Sequence, residues 1–209
     1  MRVTKGQQTR SEIVEKAAPL FNKKGFEGTS LSDLMLATGL KKGGIYRHFP
    51  SKEALATAAF DYSWEKAVQE RLGGVDAVAD CVGRLKKMID NFVELRSGLV
   101  PGGCPLMNTA VESDDGNAVL RKKALKALQS WTTRLAQTTT EGIEKGHINP
   151  RIDPLKLSHQ IIASLEGALL ISRLRNNNDT LQDMRRQLHS YLEQNVRAKT
   201  LRSKRANAS

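Results

Sequence analysis

Residues Thr29–Lys52, TSLSDLMLATGLKKGGIYRHFPSK, decide how this chain folds. Ser30 followed by Asp33 is a capping box, in which the hydroxyl and the carboxylate each satisfy a backbone N–H at a helix start. Leu31, Leu34 and Met35 then form an inward stripe, and Gly39 stands where a helix has to end at positive φ. Leu40 restores an apolar contact. Lys41 to Phe49 reads as a second short helix, with Ile45 and Phe49 four apart on one face. Lys42, Gly43, Tyr46 and Arg47 are left for the other faces. Pro50 stops the chain and Ser51 caps the helix that begins SKEALATAAF. Two short helices about a tight glycine turn, with a capped third following at once, make a helix-turn-helix.

The second short helix is basic, glycine-rich and carries an outward Tyr and His, which suits docking on a phosphate backbone. Lys52 sharpens the point. A cation in the first turn of a helix opposes the macrodipole, but an external anion held by the helix N–H groups and Lys52 together reverses that sign. A solvated surface lysine is the bland alternative. Upstream, Thr9 with Glu12 predicts a capped helix carrying Ile13, Ala17, Leu20 and Phe21 on one stripe, ending at Gly25. Pro19 inside it predicts a kink.

The run Ala17–Leu55, AAPLFNKKGFEGTSLSDLMLATGLKKGGIYRHFPSKEAL, resembles the TetR/AcrR family of transcriptional regulators. The resemblance implies an all-α homodimer of about nine helices. An amino-terminal three-helix DNA-binding domain (1–52) would precede a helical effector-binding and dimerisation domain (53–198). It also implies that Thr29, Lys42, Tyr46, His48 and Lys52 touch phosphates or position the recognition helix. Lys41 stands where the family often has a Ser or Thr cap, and Gly44 where a side chain often reads a base. Base readout then rests on Lys41, Lys42, Arg47 and the backbone around Gly43 and Gly44.

Charge partition agrees. Of a net +11, residues 1–52 hold ten Lys/Arg against four Asp/Glu, and residues 197–209 hold five Lys/Arg and no acid. The intervening residues are neutral, so the excess positive charge sits in the module and the tail, an electrostatic footprint for nucleic acid. The tail, 199–209, is too polar to fold alone; it is either a solubilising end or a DNA-contacting arm.

The rest excludes other classes. No run of eighteen apolar residues predicts a membrane span, and the amino terminus lacks an apolar signal region, so a cytoplasmic location is expected. Cys81 and Cys104 lack CxxC spacing, four scattered histidines suggest no metal, and no cofactor is implied. An enzyme using Cys104 with His147 or His159 finds no support in a nucleophile motif, a phosphate loop or a carboxylate pair.

Beyond residue 53 the pattern is helices with short breaks. A fourth helix is expected to end at Gly73-Gly74, and a fifth to carry Val75, Val78, Val82, Leu85, Ile89 and Phe92. Past the loop SGLVPGG, a sixth opens at Cys104-Pro105. A seventh over 117–145 would turn Leu125, Leu128, Trp131 and Leu135 inward, an eighth is capped by Asp153-Pro154, and a ninth by Asp179 with Gln182. The eighth is apolar on more than one face. It is either a central core helix or, with the ninth, a two-fold dimer interface formed by Ile161, Leu165, Ala168, Leu169, Leu181, Met184, Leu188 and Leu192. A dimer predicts a near-palindromic operator.

An effector, small and apolar or electrophilic, would be lined by Met88, Phe92, Met107, Trp131 and Leu165, with Asn108, His159 and Glu166 as polar anchors. The same residues also read as ordinary core. Cys104 at a helix N-cap is placed where N–H groups stabilise a thiolate. The alternative to ligand-released repression is therefore a thiol-gated repressor, and the bland reading of Cys104 is a small residue in a tight turn. Cys81 reads as inert mid-helix core.

Overall fold

A computed structural model describes residues 4–94 and 100–199; residues 97–99 of the predicted SGLVPGG loop and 200–209 of the tail lie outside that set. Nine α-helices and a terminal π-turn make up the described residues, with no strand among them: α1 Lys5–Gly28, α2 Leu31–Thr38, α3 Lys42–Tyr46, α4 Lys52–Leu72, α5 Cys81–Glu94, α6 Pro105–Ser113, α7 Ala118–Glu144, α8 Pro154–Arg175, α9 Asp179–Tyr191 and the π-turn Leu192–Val196. The all-α expectation holds. Contacts divide the chain into two compact units, one formed by Met1–Gly73 with Asn91–Trp131 and one by Gly74–Asp90 with Thr132–Ser209.

In the first unit, Ile13, Val14, Ala17, Leu34, Ile45, Phe49 and Leu55 form a buried cluster that draws α1 to α4 together. Helices as short as α2 and α3 do not persist alone in water, so this cluster holds them. The Ser30–Asp33 capping box is present, and Gly39 closes α2 in the left-handed conformation at φ 72°. Ser51 caps α4 by accepting from the Ala54 N–H at 3.0 Å. Lys24 reaches Asp33 at 2.7 Å. That bond and those from Ser30 hold the Asp33 carboxyl at about 2.

Several expectations shift. The cap of α1 is Thr4 with Gln7, not Thr9 with Glu12; Thr9 instead donates back to the Lys5 carbonyl. Pro19 sits within α1 without breaking it, and the one interior departure from helical dihedrals is Gly25, at φ 76° and ψ 177°. Helix α5 begins at Cys81, so Val75 and Val78 precede it, and Cys81 is its first residue instead of a mid-helix one. Along α7 the inward stripe is Leu120, Ala124, Ala127, Trp131 and Leu135, while Leu125 is 52% exposed. The stripe steps by four, three, four and four residues, and Leu125 falls outside it.

In the second unit, α8 packs on α9 along Leu157, Ile161, Leu165, Ala168, Leu169, Leu181 and Leu188, all buried. The Ser172 hydroxyl caps the approach by accepting from the Leu181 N–H at 3.2 Å. The predicted Asp179–Gln182 cap is absent; Asn178 occupies the N-cap with no side-chain bond. Ile148 bridges Arg197 and packs where Gly142 leaves room, since a Cβ there would lie 2.5 Å from Ile148 Cδ1. Arg197 is not a loose tail cation. It donates to both oxygens of Asp80, at 3.2 and 2.8 Å, and to Glu193. Burial pushes the Cys81 thiol up, with Glu141 adding to the effect, so this thiol stays protonated.

Candidate nucleic-acid interface

The surface of α3 is built from its buried side outward. Ile45 and Phe49 are each 2% exposed and anchor the helix to the α1–α4 cluster, at about 1.5–3 kcal/mol for each buried side chain. That orientation leaves Lys41, Lys42, Gly43, Tyr46 and Arg47 exposed, with Gly44 and His48 half-buried beside them. Lys42 Nζ lies 6.0 Å from the Tyr46 ring centroid. A Cβ built on Gly43 would meet nothing within 4 Å, so glycine here relieves no clash and leaves bare backbone on the outer face. Lys41 caps α3 in position only, without a side-chain bond. Arg10 adds a further cation, 4.5 Å above the Phe49 ring.

Thr29 and Lys52 flank this surface in different ways. Thr29 is fully buried, and its hydroxyl donates to the Gly25 carbonyl at 2.6 Å. Its hydroxyl is engaged within the α1–α2 corner. Lys52, the first residue of α4, stands over the Phe26 ring with Nζ 4.4 Å from the centroid. The aromatic face accommodates the cation that the helix dipole disfavours.

The corner at Gly25 is also gripped from outside the module. Glu112, on α6, accepts the Phe26 and Glu27 N–H groups at 2.7 and 3.0 Å. Asn22 donates to the Val100, Pro101 and Gly103 carbonyls, and Asn108 donates to the Asn22 carbonyl and side-chain oxygen and to the Gly102 carbonyl. Asn108, expected as an effector anchor, is thus occupied in tying α6 to α1. Glu112 and Asn22 were not signalled by the sequence, because each bond joins residues about eighty positions apart.

A second constellation in this unit surrounds Arg71, which is 8% exposed in the last turn of α4. Its guanidinium carbon lies 4.0 Å from the Trp131 ring centroid, 4.9 Å from Phe92 and 5.1 Å from Trp64. Phe92 and Trp131 stack at 5.6 Å, and Arg71 Nη2 donates to Cys104 Sγ at 3.2 Å. Asn91 fixes the same helix end by donating to the Arg71 and Gly73 carbonyls. Three expected effector residues, Phe92, Cys104 and Trp131, therefore meet around one cation. Trp64 and Arg71 were overlooked, although their seven-residue spacing puts them on one helical face. Met107 is half-buried, Met88 and Leu165 are buried, Glu166 is 9% exposed, and His159 lies on the exposed side of α8.

Of the residues expected at a dimer interface, Ile161, Leu165, Ala168, Leu169, Leu181, Leu188 and Leu192 are at most 5% exposed in a single chain, and Met184 is half-buried. They form the α8–α9 interior. The apolar positions that α8 leaves uncovered are Leu155, Leu170, Ile171 and Leu174, the last 79% exposed, alongside Ala163 and Gly167. Among the described residues no helix is long and apolar enough to cross a membrane, and no cluster of side chains is arranged to hold a metal.

Comparison with known proteins places this geometry. Residues 13–59 match the family model described as bacterial regulatory proteins of the tetR family, and residues 81–203 match the tetracyclin repressor-like C-terminal domain. A TetR transcriptional regulator from Chloroflexus aurantiacus J-10-FL superposes with a TM-score of 0.90 at 41% identity, covering 93% of this chain and 99% of that one. A TetR-family regulator from Cytophaga hutchinsonii gives 0.87 at 36% identity, over 96% and 100%. The HTH-type transcriptional repressor DhaR of Mycobacterium sp. strain GP1 is 29% identical over 175 residues, 82% of this chain and 86% of that protein. The α1–α4 module and the helical domain that follows it are those of a DNA-binding regulator, and the chain belongs to the TetR family of transcriptional regulators.

Proposed function

We propose that this protein is a homodimeric repressor whose α3 enters the major groove of a near-palindromic operator, and that a small-molecule effector releases it. The observation carrying the DNA-reading part is the division of α3. Ile45 and Phe49 are buried, while Lys41, Lys42, Gly43, Tyr46 and Arg47 face solvent beside Lys52. Lys42, Tyr46, His48 and Lys52 serve the phosphates; Lys41, Arg47 and the bare backbone at Gly43 and Gly44 are left for base edges. Binding to chromosomal DNA puts the protein in the cytoplasm.

Dimerisation is assigned to the uncovered apolar face of α8, where Ala163 and Gly167 allow close approach and Leu170, Ile171 and Leu174 supply apolar area. Replacing Ile171 and Leu174 together by Glu is expected to give monomers in sedimentation with helical content intact. A double variant that remains dimeric would remove this face. The effector region proposed here is the Arg71 cluster of Trp64, Phe92, Cys104 and Trp131.

A second reading, release through chemical attack on Cys104, has one observation in its favour, the Arg71 guanidinium 3.2 Å from its sulfur. The residue is only 5% exposed, which restricts a reagent's approach, so the ligand reading is preferred. Selection of random duplexes by the purified protein near physiological salt tests the main proposal. A recovered palindrome supports it. Recovery without any motif leaves only the non-specific attraction of a basic surface and defeats it.

A further inference from the structure

The geometry points to Glu112 as a positioning residue for DNA binding that lies outside the DNA-binding module: it acts through Phe26 to set the phosphate contact of Lys52. The inference rests on the reading of Lys52 as a phosphate ligand given above.

Gly25, at φ 76° and ψ 177°, turns the chain in a conformation that residues with a side chain avoid. The helical turn that resumes at Phe26 therefore starts with backbone N–H groups that the preceding helix does not satisfy. Among the described residues, none of the module supplies the cap. Glu112, eighty-six residues from Phe26 in sequence, chelates the Phe26 and Glu27 N–H groups at 2.7 and 3.0 Å. A carboxylate receiving two amides at a helix start gains from charge-assisted bonding and from the local dipole together. The fit is close enough that a Cβ on Gly25 would lie 2.4 Å from Glu112 Oε1.

What the carboxylate fixes is Phe26, and Phe26 has a second partner. Its ring lies under the Lys52 ammonium at 4.4 Å and stacks beside Phe21 at 6.5 Å. Lys52 is half-buried, while the other cations near α3, Lys41, Lys42 and Arg47, are exposed. An exposed lysine samples many rotamers and loses that entropy when it meets a phosphate. Lys52, seated on a ring whose backbone is bonded in place, is already restrained. Glu112 thus acts on DNA binding at one remove, by keeping that platform where Lys52 uses it.

The test is a double-mutant cycle on the full-length protein, read as affinity and salt dependence for the tightest duplex recovered by random selection. Lys52→Ala is expected to weaken binding roughly five- to tenfold at about 0.1 M salt and to lower the slope of log K against log salt by about 0.9, one phosphate contact. Glu112→Ala is expected to move both readouts toward the Lys52→Ala values, by at least roughly threefold in affinity. It should have no further effect when Lys52 is already Ala. Glu112→Gln, which keeps an oxygen acceptor, should recover part of the loss. If thermal unfolding shows that Glu112→Ala does not fold, Phe26→Leu keeps both backbone bonds and removes only the ring; it must show the same loss, absent from the Lys52→Ala background. A wild-type salt slope in Lys52→Ala would refute the phosphate reading of that residue. A normal effect of Lys52→Ala beside wild-type behaviour of Glu112→Ala, or effects that multiply independently, would overturn the role of Glu112.

Discussion

The α1–α4 module and the α8–α9 pair bury apolar stripes by different routes. In the module, both ends of the eight-residue α2 and the start of α4 are fixed by neighbours in sequence, Ser30 with Asp33, the left-handed Gly39, and Ser51, while the five-residue α3 between them has no side-chain cap. In the pair, α8 and α9 run 22 and 13 residues; Asp153 caps α8 by accepting from the Leu155 and Lys156 N–H groups, but α9 has no side-chain cap, and the second unit's own apolar contacts decide which stripe is inside. A helix end written into four adjacent residues is local chemistry. A choice between two apolar faces is settled by whichever partner covers one of them.

The largest expected effect strikes where the module departs from that rule. Gly25→Ala forces a side chain into a glycine-only conformation and against Glu112, and should cost about 3 kcal/mol, read as a lowered urea midpoint with loss of operator binding. If Gly25→Ala unfolds at the wild-type midpoint, the corner is softer than its geometry implies. Outside the module, Leu135→Ala should cost about 3 kcal/mol, while Leu125→Ala should stay within about 0.5 kcal/mol. Equal costs would mean that α7 buries Leu125 against something, such as a second copy.

That contrast also explains which features were legible. The Ser30–Asp33 box, Gly39 and Ser51 could be read directly, because each cap lies within three or four residues of what it caps. The same logic misplaced the start of α1, since Thr9–Glu12 and Thr4–Gln7 are both plausible caps and the longer helix forms the better one. The break expected at Pro19 falls instead at Gly25, the one interior residue of α1 with non-helical dihedrals. Leu125 was read inward from its hydrophobicity, while the alanines at 124 and 127, which permit close packing, hold the buried positions. The α8 residues expected between protomers were recognised as buried, but sequence could not say against what. Arg71 and Glu112 were missed for a related reason. An isolated charge carries no periodic signal, and apart from Trp64, seven residues from Arg71 on the same helix, their partners lie about twenty to ninety residues away.

A smaller effect sharpens the comparison from the module's side. Ser30→Ala removes one half of a capping box and should cost about 1 kcal/mol, with α2 the first segment to lose amide-exchange protection. If α2 exchange is unchanged, the buried cluster and not the cap sets its start, and the module resembles the pair more than its sequence suggests.

The smallest effect concerns a contact that neither pattern announces, the clasp of Arg197 on Asp80 and Glu193. Arg197 and Lys86 bond Glu193 and hold its carboxyl at about 2. Burial works against ionised Asp80, but the bonds from Arg197 prevail and its carboxyl also lies below the usual range. Both groups are more than a third exposed, so water screens most of the gain and the clasp contributes about 0.5 kcal/mol. Its pH dependence has a definite sign. A carboxylate lowered by folding stabilises above its unfolded pKa, here the ordinary glutamate value near 4.5, and that stability is lost as pH falls through about 2. Arg197→Met should therefore be less stable than wild type at pH 6, with the difference closing between about 4.5 and 2. Asp33 titrates alike in both proteins and drops out of the comparison. A difference that persists near pH 2 would assign the role of Arg197 to the packing of its side chain, since Met keeps the backbone bridge with Ile148, and the carboxy-terminal clasp would then be held by burial, as the α8–α9 pair is.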